Sequence, residues 1–145
     1  MTVAKKQAIS KTQSKSPGHP VQFLALHATE AALSKKAEDI VLMDMRNVSG
    51  VADFFLVCTG TSDLQIKAIS DAIKEAIWEA ADERPWHMEG LESKQWVLLD
   101  YVDLVVHLFS KEKRTFYDLE RLWGDAPREN VPDDADVASL AILAS

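Results

Sequence analysis

Residues 96–101 read Trp-Val-Leu-Leu-Asp-Tyr, and residues 104–109, two positions further on, read Leu-Val-Val-His-Leu-Phe. Side chains of a strand alternate between its faces, so Trp96, Leu98 and Asp100 share one face and Val97, Leu99 and Tyr101 the other. A strand that is apolar on both faces is either sandwiched between two layers or turns one apolar face toward a partner. Trp and Tyr dominate interface hot spots, so core and interface both stay open for Trp96. The linker between the two runs, Val102-Asp103, predicts a hairpin, although a valine suits a positive-φ turn position poorly.

The rest of the chain supplies the elements such a sheet needs. Leu24, Ala28, Ala31 and Ala32 recur at helical spacing and predict a helix over 22–35. Ile40 to Met43 and Phe54 to Cys58 are short apolar runs suited to neighbouring buried strands, with turn chemistry at Asn47 to Gly50 between them. Ser62 followed by Gln65 matches a capping box. It opens a helix whose stripe is Ile66, Ile69, Ile73 and Ile77, running to about Asp82 with Pro85 beyond its end. Trp86 to Glu89 predicts a short edge strand broken by Gly90, and Phe116, Leu119, Leu122 and Trp123 mark a third helix closed by Gly124. The order is α-β-β-α-β-β-β-α, an α+β domain with a mixed sheet, which 145 residues can build around one core.

Charge divides the chain unevenly. The leader, residues 1–20, holds Lys5, Lys6, Lys11 and Lys15 with no acid and no apolar period, and is expected to be disordered. The body, taken as 21–126, is acidic, and residues 127–145 form an acidic, then apolar tail outside it. A net charge of −7 disfavours a nucleic-acid backbone as the main contact, because that contact needs clustered Lys and Arg. It favours a basic macromolecular partner. No apolar run nears the roughly 18 residues of a membrane span, and the N-terminus lacks a secretory apolar stretch, so a cytoplasmic protein is expected.

Chemistry-bearing patterns are weak by comparison. Thr59-Gly60-Thr61-Ser62 leads from a strand to a helix N-terminus that could hold a phosphate, but it has one Gly and no Lys, so a plain strand–helix connection is the better reading. Asp44, Asp100 and Asp103 lie at strand ends, where carboxylates can bind a divalent metal for phosphoryl transfer; acids beside turns more often accept local hydrogen bonds. His107 lies opposite Leu104, Val106 and Leu108 on its strand and has no evident nucleophile to serve. Four scattered histidines and one cysteine give no zinc spacing, and Cys58 reads as a small core residue. No cofactor is expected.

Five segments in one order, spanning about 22–124, resemble the ribosomal silencing factors, also called the Iojap-like family. They are Glu38 to Asp44, Ala52 to Ser62, Glu89-Gly90, Trp96 to His107 and Phe116 to Trp123. Val102 departs from the pattern, since many members carry Gly there. The resemblance implies a nucleotidyltransferase-like fold without that class's catalytic signature. It implies binding to the fourteenth protein of the large ribosomal subunit, a basic partner, and repression of translation by blocking subunit joining. The candidate docking residues are Trp96, Leu98 and Asp100, with His107 and Tyr117 next. A homodimer of the free protein stays open, and the alternative function is a metal-dependent nucleotidyltransferase using Asp44, Asp100 and Asp103.

Overall fold

A computed structural model describes residues 19–48 and 50–144, so most of the leader lies outside the described residues. Helix α1 (Val21–Ser34) is followed by β1 (Glu38–Asp44), β2 (Phe54–Gly60), α2 (Asp63–Ala81), β3 (His87–Glu89), β4 (Trp96–Asp100) and β5 (Leu104–Ser110). Two short helices, α3 (Lys111–Tyr117) and α4 (Leu119–Leu122), then lead into β6 (Arg128–Val131) and two 3-10 turns, Val137–Ser139 and Ala141–Leu143. The six strands form one mixed sheet in the order β3-β4-β5-β2-β1-β6, in which only β2 and β5 run parallel.

The sheet separates two apolar cores. On one face α1 and α2 pack against Ile40, Leu42, Phe54, Leu56, Cys58, Val97, Leu99, Leu104, Val106 and Leu108. The predicted isoleucine stripe of α2 is fully buried there, and each such side chain is worth about 1.5–3 kcal/mol. Gly60 is set by this packing: a Cβ on it would stand 2.5 Å from Cγ1 of Ile66. The expected cap also forms. The Gln65 N–H donates to Ser62 Oγ at 3.1 Å, while the Gln65 amide oxygen accepts the Thr61 N–H instead of that of Ser62. The Gln65 amide nitrogen donates to the carbonyls of Lys35 and Lys36, tying the α1–β1 loop to the start of α2.

Two expectations need correction. The third helix is not continuous: it starts at Lys111, directly after β5, and breaks at Asp118, whose φ is 47°. Residues after 126 are not a tail outside the domain. β6 pairs with β1 as an edge strand, and Val131, Val137 and Leu140 enter the core beneath α1. Acidic flanking residues hid this strand in the sequence, since only four residues of it are paired.

The hairpin between β4 and β5 is tighter than its sequence suggests. Val102 has a φ of 82°, and the Asp103 N–H donates to the Tyr101 carbonyl at 3.0 Å, a positive-φ γ-turn. The Asp100 carboxylate accepts the Val102 N–H at 2.9 Å, and the Asp103 carbonyl accepts the N–H groups of Asp53 and Phe54. The turn thereby sets where β2 begins beside β5. A β-branched residue there carries about 1–3 kcal/mol of strain. Val102→Gly, after the added chain entropy of glycine, is expected to raise the free energy of unfolding by about 1 kcal/mol. Denaturant unfolding of the variant checks this. A chain ending at Ala126 is expected to unfold at least about 3 kcal/mol more easily, because Val131, Val137 and Leu140 lose their burial; an unchanged midpoint would show that the C-terminal segment adds nothing to the domain.

Candidate functional site

The second core lies on the sheet face away from α1 and α2, and its cover is thinner. Phe55, Val57, Leu98, Val105 and Phe109 point there, under Leu119, Trp96 and Trp123. The cover depends on how α3 and α4 are held across the break at Asp118. Arg114 donates to Glu120 Oε2 at 2.6 Å and to Thr59 Oγ1 at 2.8 Å, bridging both helices to β2. Burial pushes the Glu120 carboxyl upward, but its hydrogen bond to Arg114 and that charge outweigh burial and hold it below its ordinary value. Arg128 Nη1 adds a bond to the Glu120 carbonyl from β6.

On this frame sits a chain of rings. Trp96 opens β4 and is half-buried, with its ring centroid 5.0 Å from Phe109 and 4.5 Å from Tyr117. Its indole N–H donates to Nδ1 of His107 at 3.1 Å. His107 in turn meets the Phe55 ring edge-on at 4.5 Å, and Phe55 meets Trp123 at 6.3 Å. Phe116 lies against Tyr117 at 5.0 Å and is 71% exposed; Tyr117 is 42% exposed and Leu122 68%. Gly90 sets the start of β4, because its φ is 81° and a Cβ there would collide with the Trp96 carbonyl.

The structure thus brings Trp96, Leu98, His107 and Tyr117 onto one face, but only Trp96 and Tyr117 reach its surface. Leu98 is 3% exposed and His107 2%, both beneath the rings. Asp100 is corrected most: it is wholly buried and holds the β4–β5 turn, so it offers no charge to a partner. Phe116 and Leu122 were missed as surface candidates because a continuous helix would have turned both inward with Leu119. The polar run Lys111 to Arg114 behind Ser110, whose hydroxyl accepts the Lys113 N–H, was the available sign of an earlier helix start.

Other candidate chemistry does not assemble. Asp44 is engaged by Arg46 at 2.7 Å, a bond that lowers its pKa, while Asp100 and Asp103 serve the turn. Among the described residues no three His, Cys, Asp or Glu side chains are placed to hold a metal. Burial pushes the Cys58 thiol up to about 12, as suits a core residue. No helix among the described residues is long and apolar enough to cross a membrane.

His107 has a measurable signature. Burial lowers its pKa from 6.5 to about 3. Below about pH 6.5 the unfolded chain takes up a proton that the folded chain refuses until near pH 3. The stability tied to a neutral His107 is therefore complete above that upper limit and falls by about 1.4 kcal/mol per pH unit as pH drops through the window. Replacing it by Asn removes this dependence. Denaturant unfolding of wild type and His107→Asn should show the gap between them shifting by about 2 kcal/mol against wild type between neutral pH and about pH 5.

Known proteins match this chain along nearly the whole described domain. Residues 19–141 match the family described as ribosomal silencing factor during starvation. A ribosomal silencing factor of Halalkalibacterium halodurans is 46% identical over 106 residues, covering 73% of this chain and 90% of that protein. One from Bacillus subtilis is 48% identical over 103 residues, covering 69% and 84%. A crystal structure of a protein from Chromobacterium violaceum superposes with a TM-score of 0.70 at 31% identity, over 83% of this chain and all of that one. With the sequence match extending through β6 to residue 141, the same mixed α+β sheet in a solved neighbour, and the five recognised segments all inside it, the chain belongs to the ribosomal silencing factor family.

Proposed function

We propose that this protein represses translation without catalysing a reaction, by docking on the large ribosomal subunit through that subunit's fourteenth protein and so blocking subunit joining. The observation that carries the docking reading is the exposed aromatic ridge of Phe116, Tyr117 and half-buried Trp96 on the thinly covered sheet face. Aromatic anchors beside buried, rigid neighbours are what interface hot spots consist of. The family's name supplies the ribosome, and a net charge of −7 suits a basic ribosomal protein. The cytoplasm is where such a partner is met. The same ridge would pair two free copies into a homodimer, so self-association and ribosome docking compete for it. The rival reading, a metal-dependent nucleotidyltransferase, has less support, since the Asp44 and Asp100 carboxylates are taken up by Arg46 and by the Val102 N–H, and among the described residues no three His, Cys, Asp or Glu side chains are placed to hold a metal.

Purified large subunits test the docking reading. Phe116→Ser should leave the unfolding midpoint nearly unchanged, because the side chain is mostly exposed, yet weaken subunit binding by about 1–2 kcal/mol. Trp96→Ala is expected to lose about 2–4 kcal/mol of binding, together with a smaller loss of stability from its contacts with Phe109 and His107. Rising salt should slow association more than it speeds dissociation. Wild-type binding by both variants would remove this face from the contact. Loss of binding after ribonuclease treatment of the subunit would make ribosomal RNA the main partner instead.

A further inference from the structure

His107 serves neither as a surface contact nor as ordinary core filling. The register places Leu98 opposite His107 and Trp96 opposite Phe109, so the Trp96 indole reaches His107 diagonally across the β4–β5 pair. An indole N–H only donates, and covering it without an acceptor is costly. At 3.1 Å, Nδ1 of His107 supplies that acceptor from inside the fold. Accepting through Nδ1 leaves the neutral ring's proton on Nε2. Nε2 is buried and has no hydrogen-bond partner among the described residues. A phenylalanine or leucine would fill the same place without a stranded N–H. The imidazole's benefit therefore lies at Nδ1.

We propose that His107 is a positioning residue of the docking face: its Nδ1 holds the Trp96 indole in the binding orientation and satisfies its N–H. Trp96 can then be covered by an apolar patch of the partner protein that presents no acceptor opposite it. This rests on the docking role of the face given above, and deepens it by naming the chemistry of the partner surface. Tyr117 supports the same geometry from the other side, with its ring 4.5 Å from Trp96. His107 itself is wedged edge-on against Phe55, so its own orientation does not depend on the partner.

Two variants of the full chain separate this role from plain packing. His107→Phe fills the space but offers no acceptor, whereas His107→Asn places an amide oxygen near the position of Nδ1. A lost hydrogen bond of ordinary strength corresponds to roughly a tenfold change in affinity, which sets the scale. His107→Phe is expected to bind large subunits about tenfold more weakly or worse, and His107→Asn to stay within about threefold of wild type. Denaturant midpoints are measured on both, and the order of the two variants in binding should differ from their order in stability. In the free wild-type protein, nitrogen NMR should find His107 as the Nε2–H tautomer and the Trp96 indole proton protected from exchange. That measurement, with the asparagine variant, decides the matter if His107→Phe does not fold. An Nδ1–H tautomer, a freely exchanging indole proton, wild-type binding by a folded His107→Phe, or equal losses in two folded variants would each overturn the positioning role while leaving the docking face intact. Failure of the wild-type chain to bind large subunits would instead sink the docking reading itself, and this role with it.

Discussion

A sheet whose central strands are apolar on both faces has to be covered twice, and everything distinctive in this protein follows from how unequally that is done. β2 is buried along its whole length, and β5 along all but its last residue. Helices of 14 and 19 residues close one face, with a continuous stripe of isoleucines and alanines between them and the sheet. The other face is closed by two helices of 7 and 4 residues, together with loop residues such as Met45, Ala52 and Ala126. Such short helices cannot hold themselves by backbone bonding alone. Side-chain bonds anchor them instead, through Arg114, Glu120 and Thr59. What they leave exposed is apolar: Phe116, Tyr117 and Leu122.

The parallel pairing of β2 with β5 makes the same point from the backbone. Parallel neighbours cannot be joined by a tight turn, so α2, β3 and β4 intervene, and β5 must be delivered to the right place at the end of that excursion. The Asp100–Asp103 turn does this. One buried carboxylate holds a strained valine, and one carbonyl takes two N–H groups from the start of β2. A residue that looked like a surface charge is in fact a buried tie between three strands, since the Trp86 N–H also donates to the Asp100 carbonyl. The acidic character of the protein therefore resides elsewhere, on exposed helix and loop residues such as Asp71, Glu75, Asp133 and Asp134.

Seven of the eight expected elements were legible from period and punctuation because their signals are local. The isoleucine stripe of α2, its Ser62 cap and the strand at Phe54 depend only on residues a few positions apart. The family membership was legible for a similar reason, as a string of short segments in order. The break at Asp118 was not, because Phe116, Leu119, Leu122 and Trp123 satisfy a helical period whether or not the backbone continues. Nor was β6, whose four residues gain their stability from pairing with β1 and from the Ile142 N–H that the Glu129 carboxylate accepts, rather than from any propensity of their own.

The alternation of residues 96–101 and of 104–109 by itself determined that Trp96 lies opposite Val97 on one strand and His107 opposite Val106 on the other, because side-chain direction within a strand depends only on parity. Only the tertiary structure decided which of those residues meets solvent. Exposure is set by what other elements lay over the strand, and here Tyr117 leans on Trp96 while His107 disappears beneath the rings of Trp96 and Phe55. The hydrogen bond between Trp96 and His107 is likewise a product of register, a relation between two strands that neither carries alone.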